Sequence, residues 1–146
     1  MSNVNEQLSM TGHLQIELNG ELVRDVDNLV VTAGKGFVAA RMIGTSAGVM
    51  SHMEVGTGTT NPAAGNTTLE SAVSSSRTAF TTSAAVSGAV VTYVTAFGAG
   101  VGTGALTEAG IFNASSGGTM LCRTEFDVVN KGSADTMTIT WTVTVS

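Results

Sequence analysis

Two histidines, His13 and His52, and one cysteine, Cys122, are the whole supply of imidazole and thiol chemistry in this 146-residue chain. His52-Met53-Glu54 matches the H-x-E half of a zinc deaminase signature, but the P-C-x-x-C half needs two cysteines where one exists. A histidine on a strand or loop is therefore the expectation. Cys122 would need an adjacent base to act as a nucleophile; on a strand it is expected as a small buried hydrophobe. Gly34-Lys35-Gly36 lacks the upstream Gly and the Ser/Thr of a phosphate loop, and Gly98-Ala99-Gly100-Val101-Gly102 is not G-x-G-x-x-G. Asp25-Val26-Asp27-Asn28 falls short of the six or more oxygens that a hard cation takes, and reads as a polar turn. Glu108 and Arg123 are expected to meet on neighbouring strands as a structural ion pair. No catalytic, cofactor-binding or metal-binding residue is expected, and the chain does not read as an enzyme.

The totals narrow the setting. Charged residues are 12% of the chain, about half the usual share of roughly 25%. The six basic residues (Arg24, Lys35, Arg41, Arg77, Arg123, Lys131) are scattered and the net charge is −5, so no patch exists to neutralise phosphates and nucleic acid is not an expected partner. MSNVNEQLSM has neither a basic nor an apolar signal region, and no apolar run approaches the ~20 residues of a membrane span. Synthesis in a cytoplasm, without membrane contact, is the expectation. One Cys excludes an internal disulfide. A chain of this length suits one domain, read here as a polar N-terminal arm over residues 1–12 and a β domain over 13–146.

The elements that must position these residues are strands. Thr136 to Val145 reads TMTITWTVTV. Its period of two puts Met137, Ile139, Trp141, Val143 and Val145 on one face and five threonines on the other. Leu14, Ile16 and Leu18 alternate with polar residues up to Asn19-Gly20, a two-residue hairpin signal, and Glu21–Arg24 returns. Thr32 could cap a helix through Ile43 with Gly44 at C′, carrying Phe37, Ala40 and Arg41 on one face. Val49–Val55 reads as a short strand, Thr67–Glu70 as a capping box opening one helical turn through Val73. Arg77–Thr82, Val86–Phe97, Leu106–Asn113 and Met120–Phe126 read as further strands, with Tyr93, Ile111 and Phe126 on apolar faces. The expected core is Leu14, Ile16, Leu18, Phe37, Tyr93, Ile111, Phe126, Ile139, Trp141 and Val143. The expected fold is mainly β: a jelly-roll-like antiparallel β sandwich of about seven to eight strands with one short helix.

Three stretches carry a resemblance: NLVVTAGKGFVAARM at 28–42, VGTGTTNPAAGNTTLESAV at 55–73, and residues 106–145. The last holds E-x-G-[IL]-F-[ND] at Glu108–Asn113, the Arg123-Thr124 pair, and a Lys-Gly-x-x-Asp-Thr turn from Lys131 into the final strand. Together they resemble small virion structural proteins of tailed bacteriophages. Such sequences belong variously to capsid decoration (cement) proteins and to tail or tail-fibre components. The resemblance implies a virion location, a major capsid protein or tail proteins as partners, self-association as a homodimer or homotrimer, and no catalytic residues. A decoration protein clamping capsid subunits is the first expectation; a tail-fibre or baseplate-associated β module is the second.

Overall fold

The computed structural model describes residues 7–44 and 48–146; the first six residues of the expected arm lie outside that range. Nine strands and, among the described residues, one helix follow in the order β1 (Met10–Leu18), β2 (Glu21–Val30), α1 (Thr32–Arg41), β3 (His52–Gly56), β4 (Thr78–Ala79), β5 (Thr82–Ser87), β6 (Val90–Phe97), β7 (Gly104–Phe112), β8 (Met120–Lys131) and β9 (Met137–Val145). The protein is mainly β. Its strands form one curled antiparallel sheet in the order β4-β3-β7-β8-β2-β1-β9-β6-β5.

The alternating strand β9 sits between β1 and β6. Trp141 is opposite Leu14 on one side and Tyr93 on the other, and Ile139 lies between Ile16 and Thr95. Each inner row is apolar except for the Thr95 hydroxyl, and the threonines of β9 line the outer face. β1 begins at Met10, so Met10, Thr11 and Gly12 pair with Val145, Thr144 and Val143 instead of lying in an arm. Asn19 and Gly20, with φ of 51° and 83°, make the β1–β2 turn.

β2 does not stop at Arg24. It runs through Asp25–Asn28, where His13 opposes Asp27 and Gln15 opposes Asp25, and its last residues pair with β8 (Leu29 with Arg123, Val30 with Cys122). Asp25 and Asp27 lie on the solvated side of a strand, where carboxylates stay hydrated, while Val26 between them, and Asn28 and Val30 beyond, turn inward. β2 thereby belongs to both halves of the sheet, and the curl brings their apolar faces together. Leu14, Ile139, Trp141 and Phe97 from one half share a core with Met53, Val55, Ile111, Cys122 and Phe126 from the other.

The expected strand Val86–Phe97 is instead a hairpin. Gly88 has φ of 58°, and Ser87 pairs with Val90 across the two-residue turn. Between β4 and β5 the chain crosses from one end of the sheet to the other. Phe80 donates its N–H to Ser51 O and Thr81 to Val94 O, so the two ends meet there. Of the ten expected core residues, Leu14, Ile16, Tyr93, Ile111, Phe126, Ile139, Trp141 and Val143 are buried, while Leu18 and Phe37 are half-buried and pack against them.

Helix α1 is preceded by Val31 rather than capped by Thr32, and no side chain caps it. It ends at Arg41, two residues short of the expected Ile43, and Gly44 follows with φ of 68°. Arg41 and Gly44 are exposed; the side turned to the sheet centres on Gly34, the helix's buried residue. A Cβ at position 34 would strike the backbone carbonyl of Leu121. The glycine that weakens the helix by about 1 kcal/mol is thus what lets it reach β8. Gly34→Ala is expected to destabilise the protein by about 1–3 kcal/mol despite alanine's helix preference, because a backbone atom cannot give way. Urea denaturation measures it, and a stabilised variant would contradict this packing.

Candidate functional site

Of the residues that carried chemical and motif signals, Glu108 and Arg123 meet, on the outer side of β7 and β8 beneath the loop 57–73. Gly110 opposes Arg123 in the β7–β8 register, which sets Glu108 two residues along the same face. The side chains meet: Arg123 donates from Nε at 3.0 Å and Nη2 at 2.9 Å to Glu108 Oε1. Both residues are essentially inaccessible to solvent, at 0% and 1% exposure.

Glu108 also gathers the loop. Its Oε2 accepts from the backbone N–H of Gly58 at 2.7 Å and of Ser71 at 2.8 Å, and its Oε1 accepts from that of Glu70 at 2.9 Å. Arg123 also donates to Thr60 O at 3.0 Å and Asn66 Oδ1 at 3.2 Å. Thr107 Oγ1 adds a bond to Gly58 O at 2.6 Å. Gly56 and Gly58 are needed here because a Cβ on either would collide with the Glu108 carboxylate. The pair is buried but hydrogen-bonded on both sides, the condition under which a charge pair is tolerated in an apolar setting.

The expected capping box at Thr67–Glu70 does not form, and residues 67–73 contain no helical turn. The amides of Glu70 and Ser71, which a helix start would bond to the side chain and carbonyl of Thr67, are taken by Glu108 instead. The Glu70 side chain turns the other way and accepts from the Thr60 hydroxyl and from Thr59 N. Those two bonds hold its carboxyl below the usual range. Beside them lies a cavity of about 350 Å³ lined by Thr60, Asn66, Thr68, Glu70 and Arg123. Arg123 lines this cavity while donating to Glu108, Asn66 and Thr60.

The other motif residues behave alike. Asn113 Oδ1 accepts from Thr119 N at 2.7 Å and its Nδ2 donates to Gly48 O, bracing the 113–119 turn. Thr124 donates its hydroxyl to Asp27 O at 2.8 Å. Lys131, buried at the end of β8, donates to Gly98 O at 2.9 Å and pins the glycine loop between β6 and β7. Asp135 accepts from Gly132 N and from Asn19 Nδ2, joining the last turn to the first. Arg77, which the sequence reading passed over, lies 3.7 Å from the Phe112 ring, pairs with Glu54 at 3.3 Å and donates to Ala114 O and Gly117 O. Its signal was its isolation, since no charged residue follows it until Glu108.

The remaining candidates are dispersed. Cys122 is buried, and burial pushes its thiol well above the ordinary value. His52 hydrogen-bonds Ser51 Oγ, and burial with the Arg77 charge lowers its pKa. Among the described residues no group of three or more His, Cys, Asp and Glu could hold a metal ion. His13 lies on the exposed outer face between Asp27, bonded to Nδ1 at 2.9 Å, and Asp25 at Nε2. The Asp27 bond, helped by the Asp25 charge, raises the imidazole above its usual pKa of about 6.5 although partial burial opposes it. A raised folded-state value means that the stabilisation is complete below about pH 6.5 and is lost as pH rises through the folded value. An NMR titration of His13 is expected to give a midpoint above 6.5 that falls in Asp27→Asn; an unmoved midpoint would remove Asp27 as the cause.

The chain matches no protein-family profile, no curated protein and no solved structure.

Proposed function

We propose that the chain is a structural protein of a tailed-bacteriophage virion: a capsid decoration or cement protein that binds the outer shell and stabilises adjacent major capsid subunits. The fold we propose for this role is a jelly-roll-like sandwich, with the two halves of the curled sheet as its layers. The observation that carries the reading is the use made of the resembling motifs. Glu108, Asn113, Arg123, Lys131 and Asp135 all hydrogen-bond to loops and hold them in fixed positions. Fixed loops suit a protein that acts by shape. Binding to adjacent subunits would stabilise the shell by mass action, in proportion to occupancy, and an interface of standard size needs on the order of 800 Å² from each partner. In this reading the protein is not an enzyme, takes no cofactor, binds neither nucleic acid nor membrane, and self-associates as a homodimer or homotrimer.

Copy number per purified particle tests it, by quantitative mass spectrometry against the most abundant virion protein. A ratio near one, or a simple fraction of one, is expected for a lattice-wide decoration protein. A handful of copies would move the protein to the tail or fibres, and absence from particles would overturn the virion reading.

A further inference from the structure

We infer that β5 is a docking edge for a second copy of this chain, the two β5 strands pairing antiparallel about a two-fold axis. β5 is a terminal strand of the sheet, and among the described residues it pairs with β6 alone. All six of its residues are exposed, and Val86 is 71% accessible. Because Ser87 and Val90 close a two-residue turn, they exchange hydrogen bonds, and the next residue along, Val86, directs its own N–H and C=O away from β6. An open row of such groups is a template for another strand.

Most of the usual guards of an edge are absent. β5 reads TSAAVS, without lysine, proline or inward-pointing charge, and a bulge between Thr82 and Ala85 bends it without adding charge. The other end of the sheet, β4, is only two residues long.

Charge selects the occupant. From Thr78 to Thr107 the chain carries no charged residue, although its net charge is −5. A partner of either charge would gain nothing at this edge. Across a two-fold, a residue close to the axis meets its own copy, so a charge there would face its like. On the outer face of β1 and β2, Glu17, Asp25 and Asp27 would meet in this way; at β5 nothing repels. The inference rests on the edge and not on the virion reading: a chain that dimerises yet is absent from particles would overturn only that reading.

Sedimentation equilibrium of the full chain at neutral pH is the test, with a mass of twice the 14.7 kDa chain expected. Val86→Pro removes an N–H that β6 does not use, so it is expected to give a monomer with an unchanged circular-dichroism spectrum. Should that variant fail to fold, Val86→Lys decides: like charges near the axis are expected to weaken the dimer at least tenfold, with partial recovery at high salt. A native monomer at every concentration, a trimer, or a dimer unaffected by Val86→Lys would each overturn the proposal.

Discussion

Replacing Trp141 with alanine is expected to cost about 3–5 kcal/mol, the range for deleting a buried aromatic. That is a large part of the roughly 5–15 kcal/mol by which domains are stable. Trp141 has no solvent exposure, and Leu14 and Tyr93 flank it on the neighbouring strands. The ring joins the two halves of the sheet in one core, so the void would form where the layers meet. It also carries a polar contact: Nε1 donates to Asn28 Oδ1 at 2.9 Å, across β1. Gly12, paired with Asn28, makes that reach possible, because a Cβ there would occupy the amide's place. Trp141→Phe should therefore lose less than alanine, about 1–3 kcal/mol, from the smaller ring and the unpaired Asn28 oxygen. Urea unfolding of both variants gives the comparison. A loss well under 1 kcal/mol for alanine would mean that the ring does not fill this core.

The second large effect is expected at Glu108. Glu108→Ala should destabilise by about 3–5 kcal/mol, because it strands a buried guanidinium and three backbone N–H groups together. Arg123→Met should cost less. The carboxylate it leaves behind keeps the amides of Gly58, Glu70 and Ser71, and the methionine fills most of the vacated volume. The order of the two losses is the prediction, and equal losses would mean that the arginine rather than the carboxylate organises the loop. Hydrogen exchange locates the effect: the three amides should lose protection in Glu108→Ala while Trp141 and its neighbours on β9 keep theirs. Uniform loss across the sheet would mean that the loop is no separate unit.

How much was legible differs from element to element. The face of β9 followed from alternation, since a period of two admits only one inward set. The Asn19-Gly20 turn followed from positive φ, and the Glu108–Arg123 pair from two charges on adjacent apolar strands. The β5–β6 hairpin was not legible because Val86, Ala89, Val90 and Val91 read as one strand-forming run, and Gly88 alone is a weak signal of reversal. Asp25–Asn28 was read as a turn because acidic residues are poor strand formers in isolation. Their pairing with β1, and the two valines turned inward, outweighed that preference.

The loop 57–73 shows the limit most plainly. Thr67 and Glu70 have the spacing of a helix start, and nothing local contradicts it. The decision came from Glu108, nearly forty residues later in the chain, which bonds the amides of Glu70 and Ser71 once β7 is in place.

By itself the sequence determined the β class and most of the inward residues of the strands, because side-chain period and composition are local properties. Only the tertiary structure decided that the sheet curls around β2, that its two ends meet at Phe80 and Thr81, and that the motif residues lock distant loops. Each of those depends on which strand lies beside which. A hydrogen bond between residues far apart in the chain has no local sequence pattern to announce it; it exists because the folded sheet supplies the neighbour.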